Sequence, residues 1–62
     1  MKLSYEMLQR MRIMNDISQT KLAKEIGCTR NYISMIENGK QTYTEEQCNK
    51  ILNALYKLIQ EK

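Results

Sequence analysis

A chain of 62 residues, 42% hydrophobic and 27% charged with a net charge of +3, has the balance of one small globular domain spanning residues 1–62 and no room for a second. It holds no His, only two Cys and no aliphatic run able to span a bilayer, and its opening Met1-Lys2-Leu3-Ser4-Tyr5-Glu6 lacks the apolar stretch of a signal peptide. The expectation is a cytoplasmic protein with no metal site, cofactor or small-molecule ligand, in which Cys28 and Cys48 are reduced and mostly buried and the core is aliphatic and Met-built.

Apolar spacing and cap residues predict four helices in chain order. The first starts after Ser4, carries Glu6 in its first turn, turns Leu8, Met11 and one of Met7 or Met14 inward, and ends at Asn15 as a left-handed terminator. The second takes Ser18 as N-cap and buries Leu22, Ala23 and Ile26, which share one face; Gly27 stops it. The third takes Thr29 as N-cap, sets Ile33 and Ile36 inward and runs to about Asn38, with Gly39 ending it. The fourth opens on Thr44-Glu45-Glu46-Gln47, a capping box, with Tyr43 positioned to staple onto Cys48. Cys48, Ile51, Leu52, Leu55, Leu58 and Ile59 then repeat at helical spacing in the strongest amphipathic pattern of the chain.

Only Gly27 and Cys28 separate the second helix from the cap of the third, so the two must cross steeply, as in a helix-turn-helix at about residues 19–38. Ala23 is small enough for a close crossing, Gly27 is free to take positive φ, and Ile33 and Ile36 lock the angle. The stretch ISQTKLAKEIGCTRNYISMIENGK, from Ile17 to Lys40, resembles the lambda-repressor-like (Cro and repressor type) helix-turn-helix family. The resemblance covers nearly the whole chain and departs after Leu55, where no Gly follows and the fourth helix continues. It implies an all-α fold, a compact domain containing a helix-turn-helix that binds double-stranded DNA; with the residues after Leu55 the expectation is four helices with an extended C-terminal fourth helix.

The residues support that reading independently. Glu6, Glu45 and Glu46 occupy the first turns of the first and fourth helices, whereas the second and third have no acid there and stay open to an anion such as phosphate. On the third helix Asn31, Met35 and Asn38 lie opposite Ile33 and Ile36, with Ser34 flanking and Arg30 reaching forward from the first turn. An α-helix fits the major groove, where Arg30 suits guanine N7 and O6, Asn31 suits adenine N7 and N6, and Met35 suits a thymine methyl. Arg30, Asn31, Ser34 and Met35 are therefore the candidate base contacts, and Ser18, Gln19, Tyr32, Asn38 and Lys40 the candidate phosphate contacts. Asn38 and Gly39 have a competing role as helix terminators. The resemblance further implies that the amide of Gln19 braces both phosphate and a neighbouring recognition residue, and that Arg12 and Glu37 form a structural ion pair between the first and third helices.

Tyr56, Leu58 and Ile59 are candidate self-association residues, because Leu58 and Ile59 lie beyond what a 62-residue core easily covers. The alternative is that Leu58 and Ile59 fold back on Met7 or Met14. The predicted function is sequence-specific DNA binding by a small transcriptional regulator, a repressor of phage, plasmid or mobile-element type acting as a homodimer. A protein-binding module docking a partner through the C-terminal helix is the rival. An enzyme is excluded by the lack of any nucleophile–base pair, metal cluster or phosphate loop.

Overall fold

The computed structural model describes residues 3–61. Four helices follow one another: α1 (Tyr5–Met14), α2 (Gln19–Ile26), α3 (Arg30–Glu37) and α4 (Glu45–Gln60), with no strand among the described residues. Each begins at a hydroxyl cap. The side chains of Ser4, Ser18, Thr29 and Thr44 accept from the backbone N–H three residues on, at 3.2, 3.0, 3.1 and 3.1 Å. At α4 the box closes, because the Thr44 N–H donates to the Gln47 side-chain oxygen at 2.8 Å.

The first three helices end in one way. A left-handed residue follows the last turn, and the next N–H reaches back to the carbonyl five residues earlier: Ile17 to Arg12, Cys28 to Ala23 and Lys40 to Met35, at 3.1, 2.9 and 2.9 Å. At α2 and α3 the left-handed residues are Gly27 and Gly39, with φ of 87° and 72°. At α1 it is Asp16, with φ of 57°, and not Asn15, whose φ is −106°. Asn15 instead donates its side-chain amide to the Met11 carbonyl at 2.7 Å. The reversal falls one residue later because that register delivers Ile17 to the core.

The core consists of Leu8, Ile17, Leu22, Ala23, Ile33, Ile36, Cys48, Ile51, Ala54, Leu55 and Leu58. It is aliphatic, and among the described residues the expected Met contribution is absent from it: Met11 only packs along its edge, while Met7 and Met14 are 52% and 75% exposed. Leu58 is 3% exposed, which removes it from a self-association surface; α4 packs on both α1 and α2, so a small core wraps further along that helix than chain length suggested. Ile59 packs partly against the same core, and Tyr56 is exposed. Both cysteines are free thiols, Cys48 buried and Cys28 half-buried. Among the described residues no helix is long and apolar enough to cross a membrane.

Candidate nucleic-acid interface

The site grows from the joint between α2 and α3. Gly27 lets the chain reverse within two residues, and Ala23, 2% exposed, lies in the packed side of α2. Cys28 fills the turn beside Ile26, Tyr32 and Ile51 along an open groove. Burial pushes its thiol above the ordinary value, so it packs as a neutral group.

α3 buries Ile33, Ile36 and Glu37. Arg30 and Asn31 are exposed, and Ser34 and Met35 are half-buried on the outward side. The candidate base contacts thus share one surface. Two of them are paired along the helix at a spacing of four residues. The Asn31 amide nitrogen donates to the Met35 sulfur at 3.5 Å, and the Asn38 amide nitrogen donates to the Ser34 carbonyl at 2.8 Å and its hydroxyl at 3.3 Å. The spacing of four residues permits such pairs, and the side-chain directions that form them come from the coordinates.

The candidate phosphate contacts separate into groups. Ser18 caps α2 and leaves the N–H groups of Gln19 and Thr20 without a partner in the helix; Thr29 leaves those of Arg30 and Asn31 likewise. Lys40 is exposed just past α3. Asn38 spends its amide on terminating α3, the competing role. Tyr32 is half-buried against the core rather than beside the outward residues.

Gln19 belongs to a buried network. Arg12 grips Glu37 with two parallel bonds, Nε to Oε2 at 2.7 Å and a terminal nitrogen to Oε1 at 2.9 Å, and gives its third group to the Ile17 carbonyl at 2.8 Å. Gln19 adds its amide to Glu37 Oε1 at 2.9 Å. Glu37 is 6% exposed, and no buried side-chain nitrogen or oxygen among the described residues lacks a partner. The network therefore ties α1, the start of α2 and the end of α3 into one piece. Gln19 braces Glu37, not a base-reading side chain, and keeps one amide hydrogen for another acceptor.

Charge placement completes the surface. Between Ile17 and Thr44 the cations are Lys21, Lys24, Arg30 and Lys40, and the acids are Glu25 and Glu37. Both acids are neutralised from outside that segment, Glu25 by Lys57 at 3.0 Å and Glu37 by Arg12. None of the four cations is held in an ion pair among the described residues. The joined helices therefore offer two acid-free N-termini and four uncompensated cations, an arrangement suited to a polyanion.

No curated protein and no solved structure matches the chain. A helix-turn-helix family model does match it, over residues 8–56, which takes in all of α1 beyond its first turn, α2, α3 and most of α4. The chain therefore belongs to the lambda-repressor-like helix-turn-helix family of DNA-binding regulators.

Proposed function

We propose that the chain is a sequence-specific reader of double-stranded DNA that represses transcription by occupying its site, in a phage, plasmid or mobile-element setting. What carries the reading is the outward side of α3, where Arg30, Asn31, Ser34 and Met35 stand together beside the open N-terminus of α2. α3 lies in the major groove, Arg30 and Asn31 meet base edges, and Ser18, Gln19 and Lys40 meet the backbone.

One copy measures 29 × 24 × 20 Å, less than the roughly 34 Å of one DNA turn. Two copies therefore fit side by side on half-sites one turn apart, and the chain acts as a homodimer. With Leu58 buried, the surface for pairing near the C-terminus reduces to Tyr56 and the edge of Ile59. The same burial weakens the rival reading of a protein-docking C-terminal helix.

Selection of bound duplexes from a random pool tests the proposal. The expected result is a palindromic consensus whose affinity falls steeply with salt, as backbone contacts release counterions. Recovery of unenriched sequence, or binding indifferent to salt, would reject it.

A further inference from the structure

Asn31 and Met35 are one turn apart on the outward side of α3, and the Asn31 amide nitrogen donates one hydrogen to the Met35 sulfur at 3.5 Å. A carboxamide has two N–H donors and one carbonyl acceptor. With one hydrogen given to sulfur, the side chain keeps one donor and one acceptor. That remaining pair is complementary to adenine, which offers the N7 acceptor and the N6 donor in the major groove. Guanine offers two acceptors there, N7 and O6, so the carbonyl oxygen would face O6 unless the bond to sulfur broke first.

We infer that Met35 is a positioning residue that sets the Asn31 amide for adenine and against guanine. The inference rests on the proposed DNA reading by α3 and names the base chemistry of that site. Met35 acts here through Asn31, in place of a direct contact with a thymine methyl. In the neighbouring pair at the same spacing, the Asn38 amide is spent on the carbonyl and hydroxyl of Ser34 and so makes no bond to Asn31 or Met35.

The test is duplex selection with the wild type and four variants: Asn31→Ala, Met35→Leu, Met35→Gln and Asn31→Ala combined with Met35→Leu. The base-pair column that loses its adenine in Asn31→Ala is the Asn31 column. Met35→Leu keeps volume and removes the acceptor; its adenine-to-guanine ratio at that column should fall about fivefold or more, with the salt slope unchanged. Met35→Gln restores an acceptor four residues along the helix and should keep the wild-type ratio. The double variant should match Asn31→Ala at that column.

A wild-type ratio in Met35→Leu overturns the inference. So does equal loss in Met35→Leu and Met35→Gln, which assigns the effect to side-chain shape, and so does a column where Asn31→Ala changes nothing. The first two leave the proposed function intact; the third removes Asn31 from the base contacts and leaves DNA reading to the rest of α3. A wild-type chain that enriches no sequence rejects the function and the inference together.

Discussion

The four helix N-termini share a hydroxyl cap and differ in the charge of their first turns. Ser4, Ser18, Thr29 and Thr44 each cap the first turn with a hydroxyl, to which α4 adds the Gln47 side chain of its capping box. α1 and α4 add acids in that turn, and α2 and α3 do not. Acids there favour the helix by offsetting its dipole, so folding alone would welcome them at all four. Their absence from the two helices that form one surface leaves the favourable end of each dipole for an anion from outside. The side made by α1 and α4 is built to fold; the side made by α2 and α3 is built to fold and to receive charge.

The strongest test of that division is the link between the sides. Arg12→Ala leaves Glu37 buried with only Gln19 for company, and should cost about 3–5 kcal/mol. That approaches the whole stability of a domain this small, about 0.05–0.15 kcal/mol per residue. Arg10 is exposed and in no ion pair among the described residues, so Arg10→Ala should stay within about 0.5 kcal/mol. Urea melts of the two variants check it; equal midpoints would remove the network as the tie between the sides.

Within the charge-receiving side, Arg30 and Lys40 should separate by task. Arg30→Ala should cost about 1–3 kcal/mol on the selected duplex and relax one base column. Lys40→Ala should weaken all duplexes alike and lower the salt slope by about one. Titrations at several salt concentrations distinguish the two patterns, and a uniform loss from Arg30→Ala would move that residue from base to backbone.

The turns that frame α3 give the next effect. Gly27 and Gly39 both take positive φ, a conformation that costs an L-residue about 1–2 kcal/mol. A Cβ at Gly27 meets nothing within 4 Å, whereas one at Gly39 would come within 3.0 Å of Tyr5 Cζ and 3.1 Å of its hydroxyl. Gly39→Ala should therefore destabilise more than Gly27→Ala, and Tyr5→Ala should recover the excess in the Gly39 background. Melting curves of the three variants decide this.

These particulars also mark what was legible in the chain before its fold. Caps, the capping box and the glycine stops depend on residues three to five apart, and each appears where the sequence places it. Asp16 was missed because Asn15 and Asp16 both tolerate left-handed backbone, and the choice between them follows from burying Ile17, a tertiary fact. Leu58 was misplaced for a similar reason, since whether a helix end is covered depends on the packing of α1 and α2 against α4. On the site, the outward grouping of Arg30, Asn31, Ser34 and Met35 follows from helical period alone. The second partner of Glu37, the half-buried setting of Tyr32 and the pairing of Asn31 with Met35 required coordinates, because each turns on a side-chain direction.

A direct exchange of acids then tests the opening comparison. Thr20→Glu places a carboxylate at the second position of α2, on an exposed residue. It should stabilise the fold by about 0.3–1 kcal/mol at low salt while weakening DNA binding. Glu46→Gln at the matching position of α4 should lower stability by a similar amount and leave DNA affinity unchanged. Parallel melts and duplex titrations separate the two. If Thr20→Glu bound as tightly as the wild type, the open end of α2 would have no part in phosphate contact.

The smallest expected effect lies at alkaline pH, where three groups push one way. Burial holds the Cys28 thiol above its ordinary 9.0, and burial followed by repulsion from Cys48 and Tyr5 holds the Tyr43 hydroxyl above 10.0. Its hydrogen bond to Glu25, helped by the charge on that carboxylate, holds the Lys57 ammonium above 10.5. In every case the folded chain keeps its proton longer than the unfolded chain, so the contribution is complete below the unfolded value and declines as pH rises through the folded one. Stability should hold to about pH 9 and then fall, Cys28 first, Tyr43 next and Lys57 last. Lys57→Met should hardly move the melting temperature at pH 7, because an exposed ion pair contributes little, and should flatten only the uppermost part of the decline. Cys28→Ala should delay its onset. Thermal melts from pH 7 to 11 check the order, and a decline that begins near pH 9 in Cys28→Ala as it does in the wild type would remove the thiol from the account.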